Sequence, residues 1–166
     1  MKKRDFDIAF RGLALGQHEF QYDLDDTFFT LFEYSDYRGL RGTTELKMLK
    51  SETVLDLELH FAGSIEVPCD ITNEMYTQAL KNSFVMQIKF GDEYNDENEE
   101  LLILPHGNYQ FNAAQMLYEL AVLSIPSKLL GPNASNGLED LIEEEEDETE
   151  EKTDPRWDQL KNLLNK

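Results

Sequence analysis

From Phe6 to Phe90, apolar residues fall repeatedly on every second position, the pattern of strands with one buried face. Phe6, Ile8 and Phe10 predict a first strand, and Phe20, Tyr22 and Leu24 a second. Leu46 and Met48 belong to a third. Alternation is clearest at Leu55, Leu57, Leu59 and Phe61, and it resumes at Ile65, Val67 and Cys69. Ala62-Gly63-Ser64 between those two sets predicts a tight hairpin. The stretch from Thr72 to Asn82 fits a short helix or an irregular strand. Phe84, Met86, Ile88 and Phe90 give another strand, and Leu101 to Leu104 form a short continuous apolar run.

Helical signals interrupt this series in two places. Asp25-Asp26-Thr27 is suited to cap a short helix over Phe28, Phe29, Leu31 and Phe32, followed by a loop at Asp36-Tyr37-Arg38-Gly39. Asn112 followed by Gln115, between Phe111 and Met116, reads as a capping box with a hydrophobic staple. The helix it opens should end near Ser124, ahead of Pro126, and pack through Leu117, Leu120, Ala121 and Ser124, with Tyr118 and Glu119 pointing elsewhere. The expected class is α+β: an antiparallel sheet, or a small open barrel or sandwich, packed by one main helix. Residues 1–130 form this core. Residues 131–153 read as a flexible acidic linker, and residues 154–166 as a short amphipathic helix, with Asp154 as cap, Pro155 at the first helical position, and Trp157, Leu160, Leu163 and Leu164 on one side.

The charge changes the picture only regionally. The chain of 166 residues carries a formal net charge of -19. Seventeen of its 34 acidic residues lie in two windows, Asp92 to Glu100 and Glu139 to Asp154, and the remainder is nearly balanced. A body so close to neutral can approach RNA, whereas the tail repels phosphates within a Debye length of about 10 Å. No run of about eighteen apolar residues offers a membrane span, and the opening Met1-Lys2-Lys3-Arg4 runs into Asp5 and Asp7 rather than an apolar signal core. With Cys69 the sole cysteine, no intrachain disulfide is expected and the cytoplasm is the natural compartment.

Candidate chemistry is sparse. There is no glycine-rich phosphate cradle. Asp96, Asn98 and Glu100 alternate as in a calcium loop but lack the glycine and the distal glutamate of one, so Asp92 to Glu100 reads as a solvated hairpin tip. Cys69 lies in phase with Ile65 and Val67 and is expected in the core. His60 and His106 read as isolated histidines. Arg38 and Arg41 beside Tyr34 and Tyr37 form the one loop with the residue types for phosphate contact and base stacking. Arg156, Trp157 and Lys161 give the final helix a comparable mixture, and that helix suits either its own domain or a partner's groove.

The order of these features resembles the YceD family of large ribosomal RNA subunit accumulation proteins. Val67-Pro68-Cys69, Leu123-Ser124-Ile125-Pro126, an acidic stretch and Asp154-Pro155-Arg156-Trp157-Asp158-Gln159-Leu160 carry the resemblance. Cys69, Pro126, Asp154, Pro155, Arg156 and Leu160 are the residues that match. Relatives often carry a second cysteine where this chain has Thr72, and another cysteine or histidine where it has Ser127-Lys128-Leu129-Leu130, so a metal role is not expected to carry over. The resemblance implies a non-enzymatic factor, without cofactor, membrane or small-molecule substrate, whose partner is large-subunit ribosomal RNA or an assembly intermediate. An acidic escort that holds a basic ribosomal protein is the competing reading.

Overall fold

The computed structural model describes residues 2–34, 39–98 and 100–134. Strands β1 (Asp7–Ile8), β2 (Gly16–Leu24), β3 (Arg41–Lys50), β4 (Val54–Pro68), β5 (Met75–Gly91), β6 (Asn95–Asn98), β7 (Leu101–Pro105) and β8 (Phe111–Asn112) are joined by helices α1 (Asp26–Thr30) and α2 (Ala114–Val122). Six of the strands form one open sheet in the order β2-β3-β4-β5-β7-β6, and β1 pairs with β8 apart from it. The sheet is antiparallel except where β5 meets β7 in parallel. That exception arises because the chain leaves β5, forms β6 at the sheet edge, and returns as β7 between the two. The expected α+β sheet with one main helix is therefore present, as an open sheet and not a closed barrel.

The predicted hairpin at Ala62-Gly63-Ser64 does not exist. β4 runs straight through it, because Leu55, Leu57, Leu59, Phe61, Gly63, Ile65, Val67 and Cys69 are all odd-numbered and face one side. Gly63 fills an inward position where a side chain has no room. It lies opposite Gly42 of β3, and a Cβ added there would meet the Arg41 carbonyl oxygen, with the Phe61 ring carbon Cζ at 2.6 Å. The two facing glycines let the backbones approach beneath the Phe61 ring. Both the strand and its partner β5 consequently extend past the end of β3, with pairing from Val54–Lys89 to Pro68–Met75. This also resolves the ambiguous Thr72 to Asn82 stretch as strand from Met75 onward. Its period was hidden because polar Asn82 takes an inward position, where its amide donates to the Leu120 carbonyl at 3.3 Å.

The inward face is covered by the N-terminal segment and both helices. Phe6, Ile8 and Phe10 are buried, as their spacing implies. Only Asp7–Ile8 is extended, however, because 3-10 turns at Lys3–Phe6 and Phe10–Gly12 flank it. The expected first strand thus shrinks to two residues that pair with β8 instead of joining the sheet. Asp25 caps α1 through the Phe28 N–H at 3.1 Å, and Phe28 meets Phe6 edge-on with centroids 5.0 Å apart. At α2, Asn112 accepts from the Ala114 N–H at 3.0 Å. Gln115 does not complete the box, since its amide donates to Glu119 instead. Ala114, Leu117, Leu120 and Ala121 are buried as the packing face. Tyr118 points away from that face, as expected, and stacks on Phe32 with centroids 4.4 Å apart, tying α2 to the end of α1. Among the described residues no helix is long and apolar enough to cross a membrane.

Asp92 to Glu100 also departs from expectation. Part of it is the edge strand β6, whose residues are all exposed. Its Asp96 and Glu97 put charge on the sheet margin, where bare strands otherwise invite pairing with other chains.

Two measurements test this packing. Gly63→Ala should cost about 2–3 kcal/mol in chemical denaturation, since neither the opposed backbone nor the ring can yield cheaply. Thr44, 0% exposed on the inward face, has a hydroxyl without a hydrogen-bond partner among the described residues. Thr44→Val should therefore raise stability by about 1 kcal/mol, and a lowered midpoint would show that the hydroxyl is satisfied in solution.

Candidate functional site

Cys69 follows directly on β4, and its side chain is 2% exposed. The chain then turns tightly: the Cys69 N–H donates to the Glu74 carbonyl and the Asn73 N–H to the Cys69 carbonyl, both at 2.9 Å, with Asn73 in the left-handed region at φ 56. The segment after α2 closes over this turn. Asp70 holds it from both sides, because its N–H donates to the Leu129 carbonyl at 2.8 Å and its carboxylate accepts the Leu129 N–H at 2.7 Å.

The result is a thiol set among polar groups of the turn and of the closing segment. The Thr72 hydroxyl is foremost, joined by the N–H groups of Thr72, Gly131 and Ile71, and together they lower the Cys69 thiol to about 7 against the opposing effect of burial. Thr72 supplies a proton donor and not a soft metal ligand. Among the described residues no three His, Cys, Asp or Glu side chains come together in a manner that could hold a metal. The residues around Cys69 therefore suit a thiol that ionises more readily than usual.

The other residues singled out in the sequence are not gathered here. Arg41 opens β3, exposed and opposite Ser64. Ser64 is five residues before Cys69, about 17 Å along an extended strand. Pro126 is exposed beyond the last turn of α2. Tyr37, Arg38, Asp154, Pro155, Arg156, Trp157, Leu160 and Lys161, together with the linker and terminal helix expected there, lie outside the described residues.

At the opposite end of the sheet the fold makes a cleft that no sequence pattern marks. Its volume is about 320 Å³, and its lining includes Phe10, Arg11, Lys50, Phe90, His106 and Asn108. Four separate segments contribute. The Lys50 ammonium donates to the Phe10 carbonyl at 2.9 Å and the Leu13 carbonyl at 2.6 Å, which fixes the N-terminal turn over the β3–β4 hairpin. Phe10 and Phe90 meet with centroids 5.4 Å apart. The Arg11 N–H donates to the Tyr109 carbonyl at 3.2 Å, joining the turn to the loop that carries His106 and Asn108. Arg11 and His106, which read as unrelated along the chain, become neighbours on one concave surface.

These features define an α+β domain with an open sheet, a helical layer on one side, and distinct polar environments at its two ends. The family model for the large ribosomal RNA subunit accumulation protein YceD matches residues 57–164, more than half of the chain, and the protein belongs to that family. No curated protein and no solved structure matches it.

The thiolate can be tested directly. Absorbance at 240 nm should titrate with a midpoint near 7 in the native protein, vanish in Cys69→Ser, and move toward the ordinary thiol value in Thr72→Val. Because the folded value lies below the unfolded one, Cys69 stabilises the fold fully above the unfolded thiol pKa, and this contribution fades as pH falls through about 7. The wild type should therefore gain thermal stability relative to Cys69→Ser between pH 7 and 9.

Proposed function

We propose that this protein supports accumulation of large-subunit (23S) ribosomal RNA as a non-catalytic, cytoplasmic binding factor acting on the RNA or on an assembly intermediate. Membership of the YceD family is the observation that carries this reading. The nearly balanced charge outside the two acidic windows is compatible with it, since a domain of small net charge does not repel an RNA surface. In this reading Tyr37, Arg38 and Arg41, in and after the connection between α1 and β3, meet phosphates and bases, and Arg156, Trp157 and Lys161 add contacts near the end of the chain. The eleven acidic residues between Glu139 and Asp154 oppose indiscriminate adhesion to polyanions.

Deleting the gene in the source organism should lower the ratio of large- to small-subunit ribosomal RNA, and the wild-type gene should restore it. Restoration should weaken when Arg38, Arg41, Arg156 and Lys161 are all changed to Glu, and association with RNA should fall steeply as salt rises. An unchanged ratio in the deletion strain overturns the functional assignment. Full restoration by the quadruple variant overturns only the choice of contacts.

A further inference from the structure

The cleft at the sheet end has uncommitted chemistry on its rim and apolar surface at its base. Lys50 spends two of its three donors on the Phe10 and Leu13 carbonyls. Arg11 has no acidic partner among the described residues, where the sole ion pair is His60 with Glu58 at 2.9 Å. The side chains of His106 and Asn108 likewise form no hydrogen bond among the described residues. Arg11, His106, Asn108 and Lys50 thus line the same cleft, with Glu52 its single lining carboxylate. A cleft lined by donor-bearing side chains without protein partners suits an anionic or polar guest.

The rest of the lining narrows the guest. Phe10 and Leu55 are buried at the base, while Phe90 is half-buried. Aromatic surface beneath cationic donors is the pairing that holds a base and its phosphate together. The volume of about 320 Å³ lies at the small end of the roughly 300–1,000 Å³ range of ligand clefts, which suits one nucleotide and not a duplex. Tyr109 adds a continuation beyond the cleft: its carbonyl accepts the Arg11 N–H, and its side chain is 56% exposed. A second base can stack there as the strand leaves.

We infer that this cleft is a single-stranded RNA subsite that takes one unpaired nucleotide, its phosphate held by Arg11 and its base set against Phe90, with His106 and Asn108 reading polar edges. The inference rests on the ribosomal RNA reading above and names where the strand is gripped.

The test uses the full chain with two probes, a labelled ten-nucleotide single-stranded RNA of mixed sequence and free AMP. AMP should shift the backbone NMR signals of Arg11, Phe90, His106 and Asn108. Arg11→Glu should weaken oligonucleotide binding at least tenfold, and Phe90→Leu several-fold. Lys128→Glu, the same charge change at the other end of the sheet, should stay within twofold of wild type. Thermal melting of each variant separates lost binding from lost folding, and His106→Ala provides a milder second substitution. Binding that survives both Arg11→Glu and His106→Ala in folded protein overturns the cleft assignment while leaving the RNA reading intact. AMP binding without oligonucleotide binding overturns the strand assignment. An unchanged ribosomal RNA ratio in the deletion strain is a separate result and overturns the functional reading itself.

Discussion

The structure depends on one uninterrupted inward row along β4. Leu55, Leu57, Leu59, Phe61, Ile65 and Val67 are each at most 2% exposed, and burying each such side chain contributes roughly 1.5–3 kcal/mol. The row stays continuous only because Gly63 allows β3 to approach at Gly42, where any larger side chain would force the two strands apart. With that approach made, Phe61 covers the glycine pair. β2 and β3 can then pair on one side while β5 runs the full length on the other. Every covering element, from Phe6 to α2, packs against a surface that this row lays down.

The length of the β4–β5 pair has a second consequence, since its last residues project beyond β3 and need cover of their own. The segment after α2 provides it, clamped by Asp70 at Leu129 and by the Asn133 amide on Glu74 at 2.9 Å. This closure brings the Gly131 N–H to Cys69. The same folding event that covers the projecting hairpin therefore lowers the Cys69 thiol to about 7, through fixed dipoles and one hydroxyl. The opposite end follows a different logic. There the Lys50 ammonium is spent on backbone carbonyls to secure a turn, and the neighbouring Arg11 is left facing a cleft. One end of the sheet thus favours the ionised form of a buried thiol, and the other presents cationic donors to solvent. A binding factor for a polyanion would use the second.

Much of the core was legible because burial has a period. Phe20, Tyr22 and Leu24, the inward set of β4, and Phe84, Met86 and Ile88 follow that period in the fold, and within Asp25-Asp26-Thr27 it is Asp25 that caps α1. Sequence pattern and structure part where one residue carries two meanings. Gly63 reads as a turn because glycine tolerates turns, yet here it serves a close approach that depends on Gly42, twenty-one positions earlier. Phe6, Ile8 and Phe10 alternate like a strand, but their partners are rings and β8, not a neighbouring strand of the main sheet. Of the candidate contacts, Arg41 alone falls within the described residues, and its exposure was readable from its loop-adjacent position.

The sequence by itself determined the α+β class, the buried character of Cys69, the concentration of net negative charge in two windows and the motifs of the YceD family, because periodicity, composition and short motifs are local properties. Tertiary structure alone decided that β4 passes through Gly63, that β7 inserts between β5 and β6, that Thr72 and Gly131 lower the Cys69 thiol, and that Arg11 and His106 share a cleft. Each of these rests on groups distant along the chain meeting in space. No local pattern encodes such a meeting until the backbone pairing fixes which ends of the sheet coincide.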